Sequence, residues 1–307
     1  MPVTLRAQCI GSLTLKALCN GNFVLAGQVV NTFSNSFYLK TRSDELVFVT
    51  NRLLRSPITI NLDATSNLEQ LVKPMDLVRV NGKELHLGTD TMIDLSTAAL
   101  YQDHAQPASE LRPEFTEIDK LLRLISFILS IVDTRQSVLD PHALAHPGIA
   151  DFVSNGVMPL SRPGTAGRFR ETALKIVGLG SGFTPSGDDT LGGFLATYNS
   201  YVRTIGRAPF LLDSQLLEEK TSWISAKLLD YMQRLILDEQ LRRLIDSASK
   251  NEDDLVTALE TLLPRGHTSG IDIAVGSILA LSLIRDIAFE KEETEIVARA
   301  LGLRSPA

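Results

Sequence analysis

Gly-Leu-Gly-Ser-Gly-Phe-Thr-Pro-Ser-Gly-Asp-Asp, at residues 178–189, runs directly into an apolar segment of helical character. A second stretch, Arg-Gly-His-Thr-Ser-Gly-Ile-Asp at 265–272, ends in the same Ser-Gly-x-Asp pattern and leads into another apolar segment. Aligning the serines matches further positions of the two copies: Ser186 with Ser269, Gly187 with Gly270, Asp189 with Asp272, and Gly193 with Gly276. Loops of this kind point backbone N–H groups at one place, where an anion can bind. The two copies therefore predict one anion site built from both loops.

A simpler interpretation makes each copy the start of a helix. Ser186 would be the capping residue and Asp189 the acidic residue of a capping box, and Ser269 and Asp272 repeat that spacing. Asp188 would then interact favourably with the helix dipole. The first loop nevertheless contains more glycine than a cap requires, and glycine indicates a left-handed backbone or the close approach of a ligand. We therefore favour a functional site over two ordinary caps.

Common phosphate-binding and nucleophile motifs do not fit the two loops. The glycines of the first loop lack the spacing of a dinucleotide-binding loop, and no Lys-Ser or Lys-Thr pair follows them as in a P-loop. Ser186 lacks the Gly-x-Ser-x-Gly elbow of a catalytic serine. His267 is too close in sequence to Ser269 to complete a triad with it alone. The sequence therefore does not favour a serine nucleophile.

The acidic residues of the loops offer oxygen ligands for a metal. With His267, the carboxylates of Asp188, Asp189 and Asp272 could bind a hard cation such as Mg²⁺ or Mn²⁺ beside the anion. Aspartate at the start of a helix is more often a cap, so metal binding stays an alternative and no cofactor is certain.

Histidine and arginine residues upstream of the first loop offer further candidates. His142 and His146 have the i,i+4 spacing of a zinc pair, but Pro147 follows them and no glutamate accompanies them, which disfavours zinc. Three guanidinium groups could bind a carboxylate or phosphate through paired donors, or could belong to an ordinary solvated loop: Arg162, Arg168 and Arg170.

The composition is that of a globular protein with a substantial core, with 307 residues of which 44% are hydrophobic and 21% charged. A net charge of −6 without a basic run argues against nucleic-acid binding. Two cysteines only, Cys9 and Cys19, and an N-terminus without a secretion signal predict a reduced protein of the cytoplasm. The apolar stretch from Ile273 to Ile284 is interrupted and too short to span a bilayer, so we expect no membrane contact.

The first hundred residues are typical of β-structure. Short segments rich in β-branched and aromatic residues alternate with turn signals, at 23–30, 36–40, 46–50, 58–62 and 77–80. The last of them closes on Asn81 and Gly82, a pair that predicts a hairpin. Strands this short and this regularly spaced predict a small barrel or sandwich.

Helical periodicity follows a polar, proline-containing linker at 101–116. A capping box at 116–119 leads into a helix that runs through Val132. Long amphipathic patterns predict further helices over 222–246 and over 253–263, the second of them ended by a proline.

The predicted fold class is therefore α+β. Residues 1–105 form a β-barrel or sandwich-like domain, and residues 106–307 form a mainly α-helical domain that carries both Ser-Gly-x-Asp loops. One segment, 174–177, fits either a short strand or the end of a helix.

Gly-Phe-Thr-Pro-Ser-Gly-Asp-Asp-Thr-Leu-Gly-Gly-Phe-Leu-Ala at 182–196, together with Gly-His-Thr-Ser-Gly-Ile-Asp at 266–272, resembles a bacterial family catalogued as a domain of unknown function, DUF2877. That family includes the third subunit of the anaerobic oxamate carbamoyltransferase of allantoin degradation. The resemblance runs from about residue 90 to 285, and the N-terminal part is less distinctive. Phe183 departs from the leucine expected there, which is a mild apolar change.

The resemblance implies transfer of a carbamoyl group between oxalurate and phosphate, by a complex with two other kinds of subunit. Both substrates are anions, which agrees with the predicted anion site. The attacked carbonyl needs charge stabilisation more than a protein nucleophile. Two alternatives stay open, because a family does not fix an activity: a non-catalytic module that binds an anion or a nucleotide, and a stand-alone metal-dependent hydrolase.

Two sets of residues follow as candidates for the site. Asp188, Asp189 and Asp272 are expected to act in catalysis, by orienting the reacting groups or by holding a cation. The anionic substrate is expected to contact loop residues and one arginine: Gly180, Gly182, Thr184, Ser186, Gly187, His267, Thr268, Ser269, Gly270 and Arg168.

Overall fold

The computed structural model describes residues 3–18, 24–102, 117–135, 137–140, 147–250 and 252–303. Contacts between Cα atoms divide the chain into two compact units. The first is Met1–His104 with Ile236–Glu239, and the second is Ala105–Leu235 with Gln240–Ala307. The predicted domain boundary, most of the predicted linker, and His142 and His146 lie outside the described residues, so the boundary stays a prediction.

The first unit is built from one β-sheet, whose described strands are β1 (Val3–Gly11), β2 (Val24–Phe33), β3 (Ser36–Thr41), β4 (Leu46–Thr50), β5 (Thr59–Leu62), β6 (Leu77–Asn81), β7 (Glu84–Leu87), β8 (Thr91–Asp94) and β9 (Ala99–Tyr101). Two short helices accompany them, α1 (Ser12–Leu18) and α2 (Leu68–Leu71). The strand order is β5-β4-β3-β2-β6-β7-β8-β1-β9, and β1 also pairs with β5. That pairing closes eight strands into a barrel, which confirms the predicted fold of this part.

Alternation of apolar and polar residues explains why these strands close around a core. Every second residue of β3 is buried, and Phe37 and Leu39 from this strand lie in the barrel interior. The predicted hairpin is also confirmed, because Asn81 of β6 pairs with Glu84 of β7 and Gly82 between them has a left-handed φ of 58°. Each of the five predicted strand segments overlaps an observed strand.

Helices make up most of the described part of the second unit: α3 (Ile118–Ile131), α4 (Pro147–Asp151), α5 (Ala166–Ile176), α6 (Ser186–Tyr201), α7 (Ser214–Glu218), α8 (Trp223–Gln233), α9 (Glu239–Ser247), α10 (Glu252–Leu262), α11 (Ser269–Phe289) and α12 (Thr294–Ala300). A π-helical turn and a 3₁₀ turn, Phe152–Val157 and Met158–Ser161, continue from α4. The mainly helical second part of the fold is confirmed. The ambiguous segment 174–177 is the end of α5 rather than a strand.

The single helix predicted over 222–246 is wrong. α8 ends before Leu235, which has a left-handed φ of 63°, and α9 begins at Glu239. Neither Gly nor Pro marks the break, because the amphipathic pattern continues through it. Residues Ile236–Glu239 belong to the first unit, where the N–H of Glu239 donates to the carbonyl oxygen of Arg55 at 2.9 Å. Tertiary placement therefore overrides the helical pattern of this segment.

α6 and α11 form the centre of the second unit. All residues of α6 are buried, and α11 is buried from Gly270 to Asp286. Contacts between the two helices follow the same direction along both. Ser186 lies near Asp272, and one turn later Thr190 contacts Gly276. Asp189 likewise lies near Ser269, and one turn later Gly193 contacts Ile273. The helices therefore run parallel, and their N-termini lie side by side.

The close approach of α6 and α11 depends on Gly193 and Gly276. A Cβ atom on Gly193 would lie 2.1 Å from the carbonyl oxygen of Ile273, and one on Gly276 would lie 1.9 Å from that of Thr190. These distances are far shorter than van der Waals contact, so a side chain at either position forces the helices apart. The two glycines are also a matched pair when the two motifs are aligned, so equivalent residues of the two copies meet where the helices cross.

Two observations concern the environment of the chain. No helix among the described residues combines the length and the hydrophobicity needed to cross a bilayer. Cys9 is a free thiol buried in β1, whereas Cys19 lies outside the described residues.

We expect Gly193→Ala and Gly276→Ala each to lower the free energy of unfolding by about 3 kcal/mol, because the new methyl group meets backbone atoms that cannot rotate away. Gly167→Ala is the control, since a Cβ at that position on α5 meets no atom within 4 Å. The control is expected to raise stability by up to about 1 kcal/mol. Urea unfolding followed by circular dichroism measures the three variants, and equal stability of Gly193→Ala and Gly167→Ala contradicts the described crossing.

Candidate functional site

The starts of α6 and α11 differ from the capping boxes that the sequence suggests. Ser186 is the first residue of α6 rather than the residue before it. Pro185 and Thr268, which precede the two helices, make no side-chain capping hydrogen bond. The capping-box interpretation is therefore wrong. The acidic residues of the two motifs, Asp189 and Asp272, instead face the other helix.

The two motifs form a structural repeat, in which α5 precedes the first loop and α10 precedes the second. A Cβ atom on Gly187 would lie 2.0 Å from the carbonyl oxygen of Ile176, the last residue of α5. A Cβ atom on Gly270 would lie 2.1 Å from that of Leu262, the last residue of α10. Close packing of helix against helix therefore accounts for these two glycines.

Asp189 lies in the first turn of α6, where its side chain is buried. Its Oδ2 accepts a hydrogen bond from Thr184 Oγ1 at 2.9 Å, and Ser269 Oγ lies 3.0 Å from the same hydroxyl. Burial raises the pKa of Asp189 to about 7, although the hydroxyls of Ser269 and Thr184 and the charge of Arg265 oppose this shift. The nearby carboxyl group of Asp272 raises the pKa further.

Asp272 occupies the matching position on α11 and is fully buried. Burial raises its pKa to about 6, against the effect of two hydrogen bonds that Oδ1 accepts, from Ser137 Oγ and from the N–H of Val138, both at 2.7 Å. The hydroxyls of Ser186 and Thr268 are close enough to lower this pKa as well. Oδ2 of Asp272 has no hydrogen-bond partner within the described part of the chain. It is a buried carboxyl oxygen that needs a proton or a donor.

Asp188 faces a different part of the unit. Its Oδ1 accepts a hydrogen bond from the N–H of Gly178 at 2.6 Å, and its Oδ2 accepts from Thr221 Oγ1 at 2.5 Å and Ser225 Oγ at 2.6 Å. Burial raises its pKa, and these hydrogen bonds oppose the shift. The bonds join the beginning of the first loop to the beginning of α8, so they position that loop. The second motif has Ile271 at the matching position and no such link.

Part of the expected cradle of N–H groups is engaged within the protein. The two matched glycines donate to nearby carbonyl oxygens, Gly187 to Leu179 at 2.8 Å and Gly270 to Arg265 at 3.0 Å. Gly180 and Gly182 lie in the exposed part of the first loop, each with a φ of 114°, and His267 is exposed in the second. Both loops are thus open to solvent, while the carboxyl groups below them are buried.

Two arginines differ in the acidic groups on which their charges act. Arg168 lies in the first turn of α5, where it is exposed and its charge lowers the pKa of Asp151. Arg265, at the start of the second loop, instead acts on the site, because its charge lowers the pKa of Asp189. The predicted role of Arg168 in binding the anion stays a prediction.

Sequence analysis missed the donors that Asp272 uses. Ser137 and Val138 lie 135 and 134 residues before it in the chain, in a short segment without a recognisable motif.

The site can hold and release protons near neutral pH. Two buried carboxyl groups lie between the positive ends of two helices, which also favour a bound anion. In the described ranges, no group of three or more His, Cys, Asp and Glu side chains is arranged to hold a metal ion. The described residues therefore offer no set of metal ligands that would support the hypothesis of a metal-dependent hydrolase.

Comparison of the sequence with models of protein families identifies the family of this chain. Residues 176–281, which contain both loops, all of α6 and most of α11, match the family model described as oxamate carbamoyltransferase subunit AllH. Residues 5–100 match the AllH family N-terminal domain, and the two matches together cover about two thirds of the chain. The chain therefore belongs to the AllH family. No solved structure matches it.

We expect the two carboxyl groups to make the protein less stable as the pH rises from about 4 to about 7. Asp189 and Asp272 have pKa values of about 7 and about 6 in the folded chain against an ordinary 3.8, so the folded state binds more protons than the unfolded state in this range. Each group contributes a slope of up to about 1.4 kcal/mol per pH unit. Urea unfolding at a series of pH values measures the slope.

Asp189→Asn is expected to flatten the part of this slope between about pH 6 and 7, because the amide does not ionise. Glu171→Gln, at a side chain of α5 that is 71% exposed, serves as the control and keeps the original slope. The same slope in Asp189→Asn and in the unmodified chain would show that Asp189 does not titrate in this range.

Proposed function

We propose that this chain is a subunit of an oxamate carbamoyltransferase-like enzyme, and that its two loops contribute to a site where a carbamoyl group passes between oxalurate and phosphate. Membership of the AllH family supports a role as one subunit of a larger enzyme. The observation that carries the proposal is the side-by-side arrangement of two helix N-termini with Asp189 and Asp272 between them.

The transfer makes two demands on such a site. An oxygen of phosphate attacks the ureido carbonyl carbon of oxalurate and gives up the proton it carries. The bond from that carbon to the nitrogen of the oxamate half then breaks, and this nitrogen takes a proton. The products are carbamoyl phosphate and oxamate. The site therefore needs a group that accepts one proton and returns another, and a positive environment for two anions.

Asp189 and Asp272 meet the first demand in this proposal. Because burial brings both pKa values close to neutrality, one of the two can be ionised and accept the proton of phosphate while the other is protonated and supplies the departing nitrogen. The hydroxyls of Ser186 and Ser269 orient the carboxyl groups across the helix pair. The role of Asp188 is indirect, because its hydrogen bond with the N–H of Gly178 holds the first loop in position.

The helix N-termini and one arginine meet the second demand. Both helices direct the positive ends of their dipoles towards the same region, and anions are favoured there. Arg265 adds a full positive charge whose effect reaches Asp189. The exposed glycines of the first loop leave its backbone open to a ligand, because no side chain covers it.

Asp189→Asn and Asp272→Asn are each expected to reduce turnover by about 100-fold or more, which is the usual effect of losing a general acid or base. The assay uses the complete complex, isolated from its native host through a tag on this chain, and measures carbamoyl phosphate formed from oxalurate and phosphate. Glu171→Gln is expected to keep the original activity, because its exposed side chain lies on the surface of α5.

Folding and assembly are checked by circular dichroism and by recovery of the other subunits with each variant. Full turnover in both aspartate variants would remove the acid pair from the reaction. A complex that binds oxamate without any turnover would support the non-catalytic binding module instead. Turnover by the isolated chain only with added Mg²⁺ or Mn²⁺ would support the metal-dependent hydrolase.

A further inference from the structure

The start of α6 and α11 combines two features that oppose each other. The adjacent N-termini favour a bound anion. Asp189 and Asp272, however, are buried acidic groups in the first turns of these helices, close enough for their charges to interact. A bound anion adds a third negative charge, and the three charges repel one another. An anion can therefore bind between the helices only if part of this negative charge is neutralised.

Asp272 shows how the charge can be neutralised. Its Oδ1 already accepts hydrogen bonds from Ser137 and Val138. Its Oδ2 is buried and makes no hydrogen bond of good geometry within the described residues, although the hydroxyls of Ser186 and Thr268 lie near the carboxyl group. A proton on Oδ2 removes the negative charge and turns the orphan acceptor into a donor. The hydroxyl of Ser186, the first residue of α6, interacts with this carboxyl group, so the carboxyl group lies near the N-terminus of α6. An oxygen atom of an anion bound at that N-terminus could accept the hydrogen bond.

The other charged groups around the pair do not replace this proton. Arg265 of the second loop acts on Asp189, but it is one cation against two carboxyl groups. In the segment that contacts Asp272, the carboxylate of Asp133 is bound by Arg135 and is also influenced by His267.

Asp188, on α6 itself, is turned towards α8 and hydrogen-bonded there. The acid pair therefore keeps an excess of negative charge unless it holds a proton.

We propose that the site binds its anion together with one proton, which Asp189 and Asp272 hold between them. The protonated carboxyl group donates a hydrogen bond to the anion, and the ionised one remains an acceptor. The ligands are small anions with a carboxylate or a tetrahedral oxyanion group. This inference rests on the proposed function for its choice of ligands, and it identifies the bound proton as the one that the departing nitrogen receives.

Coupling between anion binding and proton uptake predicts that the affinity for the anion falls as the pH rises. Above about pH 7 both carboxyl groups of the free protein are largely ionised, so binding must take up a proton, and affinity falls by up to tenfold for each further pH unit. Below about pH 6 the proton is already present, and affinity levels off. Oxamate and sulfate stay fully ionised throughout this range, so the ligand itself contributes no such change.

Isothermal titration calorimetry of the full chain, alone and in its complex, tests the coupling with oxamate and with sulfate. Titrations at about pH 6 and 8, each in two buffers of different ionisation enthalpy, give the number of protons taken up per bound anion. We expect nearly one proton at pH 8 and nearly none at pH 6. Uptake with oxamate supports a carboxylate as the coupled anion, and uptake with sulfate supports a tetrahedral one. Binding without proton uptake at either pH, or no binding of either anion, overturns the proposal.

Two variants separate this role from a structural one. Asp189→Asn and Asp272→Asn each leave the pair with the single negative charge of its protonated form. Both are expected to bind oxamate at pH 8 about tenfold more tightly than the unmodified chain does at that pH, without proton uptake. A merely structural role predicts weaker binding at every pH instead. Glu171→Gln keeps the original pH dependence, as a surface control.

The proposed function and this inference can fail separately. Proton-coupled binding in a complex that shows no turnover supports the inference and removes the transferase role. Turnover accompanied by anion binding without proton uptake does the reverse. If either asparagine variant fails to fold, calorimetry of the unmodified chain still shows whether anion binding takes up a proton.

Discussion

The contact between α6 and α11 at Gly193 and Gly276 is the constraint on which the helical unit depends. Parallel helices in direct contact align their dipoles unfavourably, and their positive ends accumulate on one side. The chain offsets this by placing an aspartate in the first turn of each helix, and these aspartates are buried by the same packing. The close crossing thus produces both the positive region and the raised pKa values beside it.

The loops take their shape from the same packing. Each helix of the central pair begins against the last carbonyl group of the helix before it, so four helices fix the two loops from below. The two copies differ in their outer attachments, however. The first is tied to α8 through Asp188, and the second is tied through Asp272 to the segment at Ser137 and Val138. A symmetric framework therefore carries two chemically different halves, which suits a ligand with two different ends.

Local patterns predicted the parts of this molecule that local physics controls. Alternating apolar residues predicted the strands of the barrel, and the matched serines and glycines predicted that the two loops belong together. The same patterns also suggested capping boxes, because a Ser-x-x-Asp spacing does not show whether its side chains turn back to their own helix or across to another. Only the crossing at the two glycines decides that question.

The sequence does not predict features that depend on contacts between residues far apart in the chain. Nothing near Leu235 marks the end of α8, since the amphipathic pattern is compatible with one long helix and tertiary contacts break it. The donors at Ser137 and Val138 were missed for the same reason. The effect of Arg265 on Asp189 is a further case, because the sequence does not show that the two residues lie near each other in space.

The segment Ile236–Glu239 makes the first unit discontinuous in the chain. The last strand of the sheet ends at Tyr101, yet this segment of the same unit follows more than a hundred residues later. During synthesis, α3 through α8 leave the ribosome before the N–H of Glu239 can reach the carbonyl oxygen of Arg55. The first unit therefore includes residues that are synthesised only after most of the helices before α9 have been made.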